Sequence, residues 1–295
     1  MANIGVFVER YNISNSQEMG AIMRLGQVAQ HLGHRLDVLF RTDMYKVPKY
    51  DSLFIRALTD PMNASYVAAR TAQLHGLRVI DDPESIVICC DKIHMYRRLQ
   101  QHEVPMPRTL FLDARDVTKE TGTRLFDEMG QPIVLKAPNS SFSMYVERVK
   151  TPDEFVKVGR KFLRRSDRIV AQQFVRSAFD WRVGVLGGEP LYVCRYLIPK
   201  TRWKIMTYTR SGRAIFGGIE GLEVEKADPK LLQTAVAAAN AIGKGIYGVD
   251  LKQLDDGTYT VIEVNDNPTI CYGDEDRRAP HIYERIIRYL AREWG

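Results

Sequence analysis

Short apolar, β-branched runs alternate with segments of helical period near the start of the chain, and this alternation predicts a small open α/β sheet. The runs Asn3–Val8, Arg35–Phe40, Ser52–Arg56 and Arg78–Ile80 read as its strands. Ser16–Leu32 places Met19, Ile22, Met23, Leu25 and Val28 at helical spacing and stops at Gly33, a residue suited to the left-handed turn that ends helices. Asp60 followed by Pro61 predicts the start of a further helix, reaching Gly76, because a first-turn N–H has no partner to lose.

From about Asp91 the texture changes. A helix over Asp91–His102 leads through the stiff segment Val104-Pro105-Met106-Pro107 to a strand at Thr109–Leu112. Pro132–Ala137, Met144–Val149 and Arg168–Val175 read as further strands, with a helix at Pro152–Arg164 between the last two. Trp181–Leu186 and Leu191–Ile198 are joined by Gly187-Gly188, a hairpin signal. Asp228-Pro229 opens a capped helix that ends near Gly243. The strands Ile246–Lys252 and Thr258–Val264 follow, joined through Asp255-Asp256-Gly257, and a helix over about His281–Glu293 closes the chain. Strand pairs with helices on one side predict α+β lobes rather than a second doubly wound sheet. No internal repeat or low-complexity segment is visible.

Composition narrows the class. At 295 residues, 45% hydrophobic and 26% charged, the chain has the make-up of a soluble multi-lobed enzyme or of two to three small domains. No apolar run is long enough to span a bilayer, and a strand begins within three residues of the start, so neither membrane nor signal peptide is expected and the location expected is cytoplasmic. Cys89, Cys90, Cys194 and Cys271 form no CxxC pair, which suits free thiols in a reducing compartment. A net charge of +6 favours an anionic ligand. Arg160, Lys161, Arg164, Arg165 and Arg168 lie on one helical stretch, open to two readings: a solvated face or a nucleic-acid contact. No aromatic platform is interleaved with them, so a nucleic-acid partner is not expected. The sequence holds no GxxxxGK[ST], no GxGxxG after a strand, no GxSxG and no HExxH.

The strongest chemical signal is Gly248-Val249-Asp250-Leu251 with Val261-Ile262-Glu263-Val264-Asn265-Asp266-Asn267-Pro268. Two adjacent antiparallel strands would set Asp250 beside Glu263 and Asn265, the latter two on one face by the strand's period of two. Both carboxylates sit inside apolar runs, where an unpartnered charge is costly. Two carboxylates and a carboxamide are hard oxygen donors suited to Mg²⁺ that also takes oxygens from nucleotide phosphates.

This constellation resembles the metal-binding end of ATP-grasp enzymes, in particular the RimK-like branch near glutathione synthetase and the glutamate-adding ligases. Ile80-Asp81-Asp82-Pro83-Glu84-Ser85-Ile86, Asp91-Lys92, Leu135-Lys136, Ser140-Ser141-Phe142-Ser143 and Asp180-Trp181-Arg182 extend the resemblance over essentially the whole chain. It implies an ATP-grasp fold, α/β and α+β: an N-terminal open α/β sheet lobe (1–85), a first ATP-grasp subdomain (86–175) and a C-terminal subdomain with the metal site (176–295), clasping the nucleotide.

The resemblance also implies roles. ATP is the nucleotide, with Mg²⁺ or Mn²⁺ on Asp250, Glu263 and Asn265. Lys92 and Lys136 contact the phosphates. Ser140, Ser141 and Ser143 take the place of a phosphate-covering loop, without its usual glycines. The strand end Gln172, Gln173, Phe174 and Val175 reads adenine through its backbone, with Asp180 nearby. Arg182 faces the transferred phosphoryl group, although an Arg–Asp pair within a sheet is an alternative. Arg202 and Lys204, in a basic loop with Lys200, Arg210 and Arg213, either close over substrate or are merely solvated. Arg56 lies at a strand's carboxyl end, where open α/β sheets bind ligands, and is expected to hold a substrate carboxylate. Glu9 and Asn267 are expected near the same substrate. The implied activity is ligation of a small-molecule carboxylate to an amine through an acyl-phosphate. Addition of glutamate or another amino acid to a protein tail and a catalytically silent ATP-binding scaffold are the alternatives. A homodimer or homotetramer is expected.

Overall fold

The computed structural model describes residues 1–140, 144–200, 202–208 and 214–293. Strands β1 (Asn3–Phe7), β2 (Arg35–Leu39), β3 (Ser52–Ile55) and β4 (Arg78–Ile80) form a parallel sheet in the order β2-β1-β3-β4. Helices α1 (Arg10–Ile13), α2 (Ser16–His31) and α3 (Ala64–Leu74) and a 3₁₀ helix (Arg41–Lys49) connect its strands. The predicted start of α3 at Asp60 is one turn early. Asp60 Oδ1 instead accepts from Met62 N at 2.8 Å, a turn that uses the same side-chain chemistry as a helix cap, and α3 begins after Asn63.

Two short helices follow, α4 (Pro83–Cys89), which the sequence pattern does not reveal, and α5 (Lys92–Gln101), each capped by the aspartate before it. The second sheet contains β5 (Thr109–Leu112), β6 (Ile133–Lys136), β7 (Val146–Val149) and β8 (Ile169–Gln173) in the order β5-β8-β6-β7, all antiparallel. Helices α6 (Lys119–Met129) and α7 (Pro152–Leu163) cover one face, sharing a core with Ile133, Leu135, Ile169 and Ala171. The third sheet takes β9 (Phe179–Leu186), β10 (Glu189–Leu197), β13 (Gly218–Leu222), β14 (Ile246–Gln253) and β15 (Tyr259–Asn265) in the order β13-β10-β9-β14-β15. A ribbon of β11 (Met206–Tyr208) and β12 (Ala214–Phe216) stands apart from it. Gly187 and Gly188 turn the β9–β10 hairpin with φ of 61° and 92°, a region where side chains with a Cβ are strained.

Helix α8 (Pro229–Ile242) and α5 pack on one face of the third sheet, around Val183, Val249, Leu251 and Val264. The opposite face shares a core with the first sheet: Ile4, Val6, Leu25 and Phe54 meet Leu186, Tyr192, Cys194, Ile246 and residues of α9 (Ile282–Leu290). No helix among the described residues is long and apolar enough to cross a membrane. Cys89, Cys90, Cys194 and Cys271 are free thiols. Arg160, Lys161, Arg164, Arg165 and Arg168 are exposed; Lys161 pairs with Glu147 at 2.6 Å and Arg165 lies over the Tyr145 ring.

Candidate active site

Register on the third sheet builds the site row by row. Arg182 on β9, Asp250 on β14 and Glu263 on β15 are cross-strand neighbours, so all three side chains leave the same face. A bulge at Ile262, just before Glu263 on β15, pairs Val261 rather than Ile262 with Leu251. Arg182 addresses Asp250 fork-on, Nε to Oδ1 at 2.5 Å and Nη2 to Oδ2 at 2.8 Å, and its guanidinium lies 4.9 Å from the Tyr196 ring centre. The arginine crosses Gly248, where a Cβ would come within 3.0 Å of Arg182 Cδ and 2.7 Å of Pro268, so a side chain there would displace it. In the next row Lys252, buried, pairs with Asp180 and approaches Ser177 Oγ at 3.3 Å.

The other sheet and α5 supply ammonium groups. Lys92, 4% exposed at the start of α5, pairs with Glu263 Oε1 at 2.8 Å and donates to the Ser140 carbonyl at 2.5 Å. Lys136, at the end of β6, donates to Tyr96 Oη at 2.6 Å, and Tyr96 Oη donates to the Ile262 carbonyl at 2.6 Å. Burial pulls the Lys136 ammonium down to about 8, against the opposing pull of Glu263, Asp180 and Asp250. Burial also pushes Asp250 above the ordinary carboxylate range despite Arg182. For Glu263 burial works in the same direction, but Lys92 and Lys136 outweigh it and hold the carboxyl below its ordinary value. Three cations from three elements thus surround two carboxylates of adjacent strands.

The predicted metal ligands lie together. Asn265 Nδ2 donates to Asp250 Oδ2 at 3.2 Å and to the Gly248 carbonyl at 3.3 Å. Among the described residues Asn265 Oδ1 and Glu263 Oε2 take no partner, and both are hard oxygen donors, so the set fits a divalent cation such as Mg²⁺. No group of three or more His, Cys, Asp or Glu arranged for a metal occurs among the described residues; the carboxamide is what completes this set.

Other expected residues take different places. Arg56 Nη1 donates to Asn267 Oδ1 at 2.7 Å and to the Pro268 carbonyl at 3.0 Å, while Asn267 Nδ2 donates to the Ala57 carbonyl at 2.7 Å. The two expected substrate residues are therefore clamped to each other. Glu9 lines a cavity of about 250 Å³ at the carboxyl ends of β1 and β3. The Gln172 side chain is buried and donates to Thr109 Oγ1 at 2.9 Å, beneath Tyr96, so it braces the cleft floor. Strand β8 ends at Gln173, whose N–H donates to the Arg108 carbonyl, and Phe174 and Val175 lie beyond it. Phe174 meets Trp203 edge-on at 6.0 Å, with Arg148 over both rings. Asp180 answers to Lys252 rather than standing open beside Arg182. Ser140 faces α5 through its carbonyl; Ser141 and Ser143 lie outside the described residues, as do Arg210 and Arg213. Arg202 is exposed, and Lys204 packs over Trp203 with Glu147 and Lys161 as charged neighbours.

Sequence reasoning missed Tyr96, the hydroxyl between Lys136 and β15, because a helical tyrosine carries no motif. It also missed Glu275, buried in the segment after Asn265–Pro268, which accepts from Tyr196 Oη at 2.6 Å and from Cys271 N at 2.8 Å beneath Arg182's ring platform. Asp81 enters the sequence reading only as part of a motif. It is fully buried, neither oxygen has a hydrogen-bond partner within normal geometry among the described residues, and burial together with nearby Asp266 drives it well above its ordinary value.

The profile of an ATP-grasp domain family, the third family of its clade, matches residues 93–269. A glutamate–LysW ligase, ArgX, from Sulfolobus acidocaldarius is 23% identical over 75% of this chain and 74% of its own. A D-alanine–D-alanine ligase from Bacillus anthracis superposes with a TM-score of 0.70 at 15% identity, over 99% of this chain and 97% of its own. A RimK domain ATP-grasp protein from Sphaerobacter thermophilus gives 0.67 at 17% identity, over 98% and 100%.

Proposed function

The chain belongs to this ATP-grasp domain family, and from that premise we propose that it is an ATP- and Mg²⁺-dependent ligase joining a carboxylate to an amine through an acyl-phosphate. A substrate carboxylate oxygen attacks the terminal phosphorus, and the bond to the bridging oxygen breaks to release ADP. The amine nitrogen then attacks the acyl carbon. The bond from carbon to the phosphate oxygen breaks, phosphate leaves with the electron pair, and the nitrogen gives up its proton.

Lys92 and Lys136 are the phosphate ligands in this reading. On nucleotide arrival each exchanges a present partner, the Ser140 carbonyl or the Tyr96 hydroxyl, for a phosphate oxygen. Arg182 keeps its orientation because Asp250 grips Nε and Nη2, leaving Nη1 free among the described residues for the oxygens where charge develops. Asp250, Glu263 and Asn265 would hold Mg²⁺, which when bound supplies neutralisation of phosphate charge. The single observation that carries the reading is the convergence of Lys92, Lys136 and Arg182 on the Asp250–Glu263 pair.

Hydroxylamine trapping tests it. Purified protein with MgATP and a panel of amino acids and small carboxylates is expected to yield a hydroxamate with ADP and phosphate. Release of AMP and pyrophosphate would overturn the acyl-phosphate route. Addition of glutamate or another amino acid to a protein tail is the second reading, in keeping with the similarity to a ligase named for adding glutamate; mass ladders on a protein would be its readout.

A further inference from the structure

We propose that the cavity at the carboxyl end of the first sheet binds the amine substrate, and that this substrate is an α-amino acid with a single carboxylate. The assignment of the amine role rests on the ligase reading above; the choice of ligand rests on the cavity alone. At about 250 Å³ the cavity falls below the roughly 300–1,000 Å³ of pockets for drug-sized ligands, so its occupant is small.

Two opposite charges line it, Glu9 after β1 and Arg41 at the start of the 3₁₀ helix, and neither forms an ion pair among the described residues. The neutral polar groups around them make local bonds to Leu58. Ser65 Oγ donates to the Leu58 carbonyl at 2.9 Å, Asn63 Nδ2 reaches the same oxygen at 3.4 Å, and the Tyr11 hydroxyl accepts from Leu58 N. Ala57, Leu58, Met62 and Ala64 complete the wall. A carboxylate and a guanidinium, each without an ionic partner among the described residues, match the ammonium and carboxylate of a free amino acid in a small cavity.

A second carboxylate, as in glutamate, finds no second cation among the residues that line the cavity. Arg41 is the one cation among the described residues that line it; Arg56 is not among them, and its Nη1 is bonded to Asn267 Oδ1 and the Pro268 carbonyl, so a further negative charge would meet no second cation of the wall. Arg41, not Arg56, is thus the carboxylate holder. Held there, the amino acid's own carboxylate is kept from the phosphoryl donor, and its nitrogen end lies on the Glu9 side. The cavity also adjoins the metal loop, because Ala57, which borders it, accepts from Asn267, two residues after Asn265.

Calorimetric titration of the full chain tests this, using L-alanine, L-methionine, L-glutamate, propionate and ethylamine. Each is run without nucleotide and again with Mg²⁺ and a non-hydrolysable ATP analogue. L-alanine or L-methionine is expected to bind more tightly than L-glutamate, and far more tightly than the two single-charge probes. Arg41→Gln and Glu9→Gln are each expected to weaken that binding by about ten- to a hundredfold, the loss of one charge-assisted hydrogen bond. Absence of amino-acid binding in both conditions, affinity indifferent to both substitutions, or L-glutamate binding tightest would overturn the assignment. Hydroxylamine trapping by the wild type separates the two readings. Intact charge-dependent binding with no hydroxamate counts against the ligase reading alone, and trapping with charge-independent binding counts against the cavity alone.

Discussion

Glu263→Gln removes a charge while keeping shape, and on sequence grounds alone the fold should be indifferent, since an amide is easier to bury than a carboxylate. The structure changes that expectation. Glu263 is the counter-ion of Lys92, whose side chain is 4% exposed while the glutamate is 28% exposed. Removing one member of a fully buried pair costs about 3–5 kcal/mol. Glu263 is partly open to water, and Lys92 keeps its bond to the Ser140 carbonyl, so about 2 kcal/mol is the expected loss. That is roughly a thirtyfold shift in the folding equilibrium. Urea unfolding of wild type and variant without nucleotide reads it as a lower midpoint at unchanged slope. Turnover, measured by hydroxylamine trapping on the folded variant, is expected to fall by orders of magnitude if Glu263 is a ligand of the proposed Mg²⁺ site. Equal midpoints would show that the Lys92–Glu263 pair contributes nothing, and undiminished trapping would remove Glu263 from the metal site.

Lys136 gives a pH signature. Its ammonium titrates near about 8 in the native protein against an ordinary 10.5, so between those values the unfolded chain holds a proton the native chain has shed. Stability from this group therefore rises with pH across about 8 to 10.5, by about 3 kcal/mol at most. Lys136→Met should flatten that rise in urea midpoints compared at pH 8 and pH 10; parallel profiles would refute it. Arg56→Ala frees Asn267 and the Pro268 carbonyl, and is expected to cost about 1–3 kcal/mol and to weaken Mg-nucleotide binding. A rise in one substrate's KM alone, with unchanged melting, would restore Arg56 to direct substrate binding.

The Asp250–Glu263 face was legible because period-two alternation places carboxylates without any knowledge of tertiary structure. Lys92 and Lys136 carried no such pattern and came only through resemblance, since a lysine at a helix start or strand end reads as surface. Arg56 shows where local reasoning stops: strand geometry put it at the right edge, but its partner Asn267 lies 211 residues away. Helix α6 stayed hidden because Gly122 and two threonines interrupt its helical signal, although Thr118 caps it through Thr121 N. Gln172 was expected at the adenine through its strand's backbone; its side chain turned out to be a brace because Thr109 and Tyr96 meet it across the sheet.

The apolar core shared by the first sheet and the third bears on how this chain tolerates recombination. A crossover near residue 85 would part Arg56 from Asn267, Gln17 from Asp274, Arg78 from the Tyr289 carbonyl and His34 from Glu293, besides splitting the core that Ile4 and Val6 share with Tyr192 and Ile282. The two ends of the chain therefore need to be inherited as a pair. The segment 109–173 is different: its sheet and two helices close around a core of their own. Shuffled libraries that exchange this central block from relatives, keeping both termini from one parent, would cut few of the contacts between the first and third sheets.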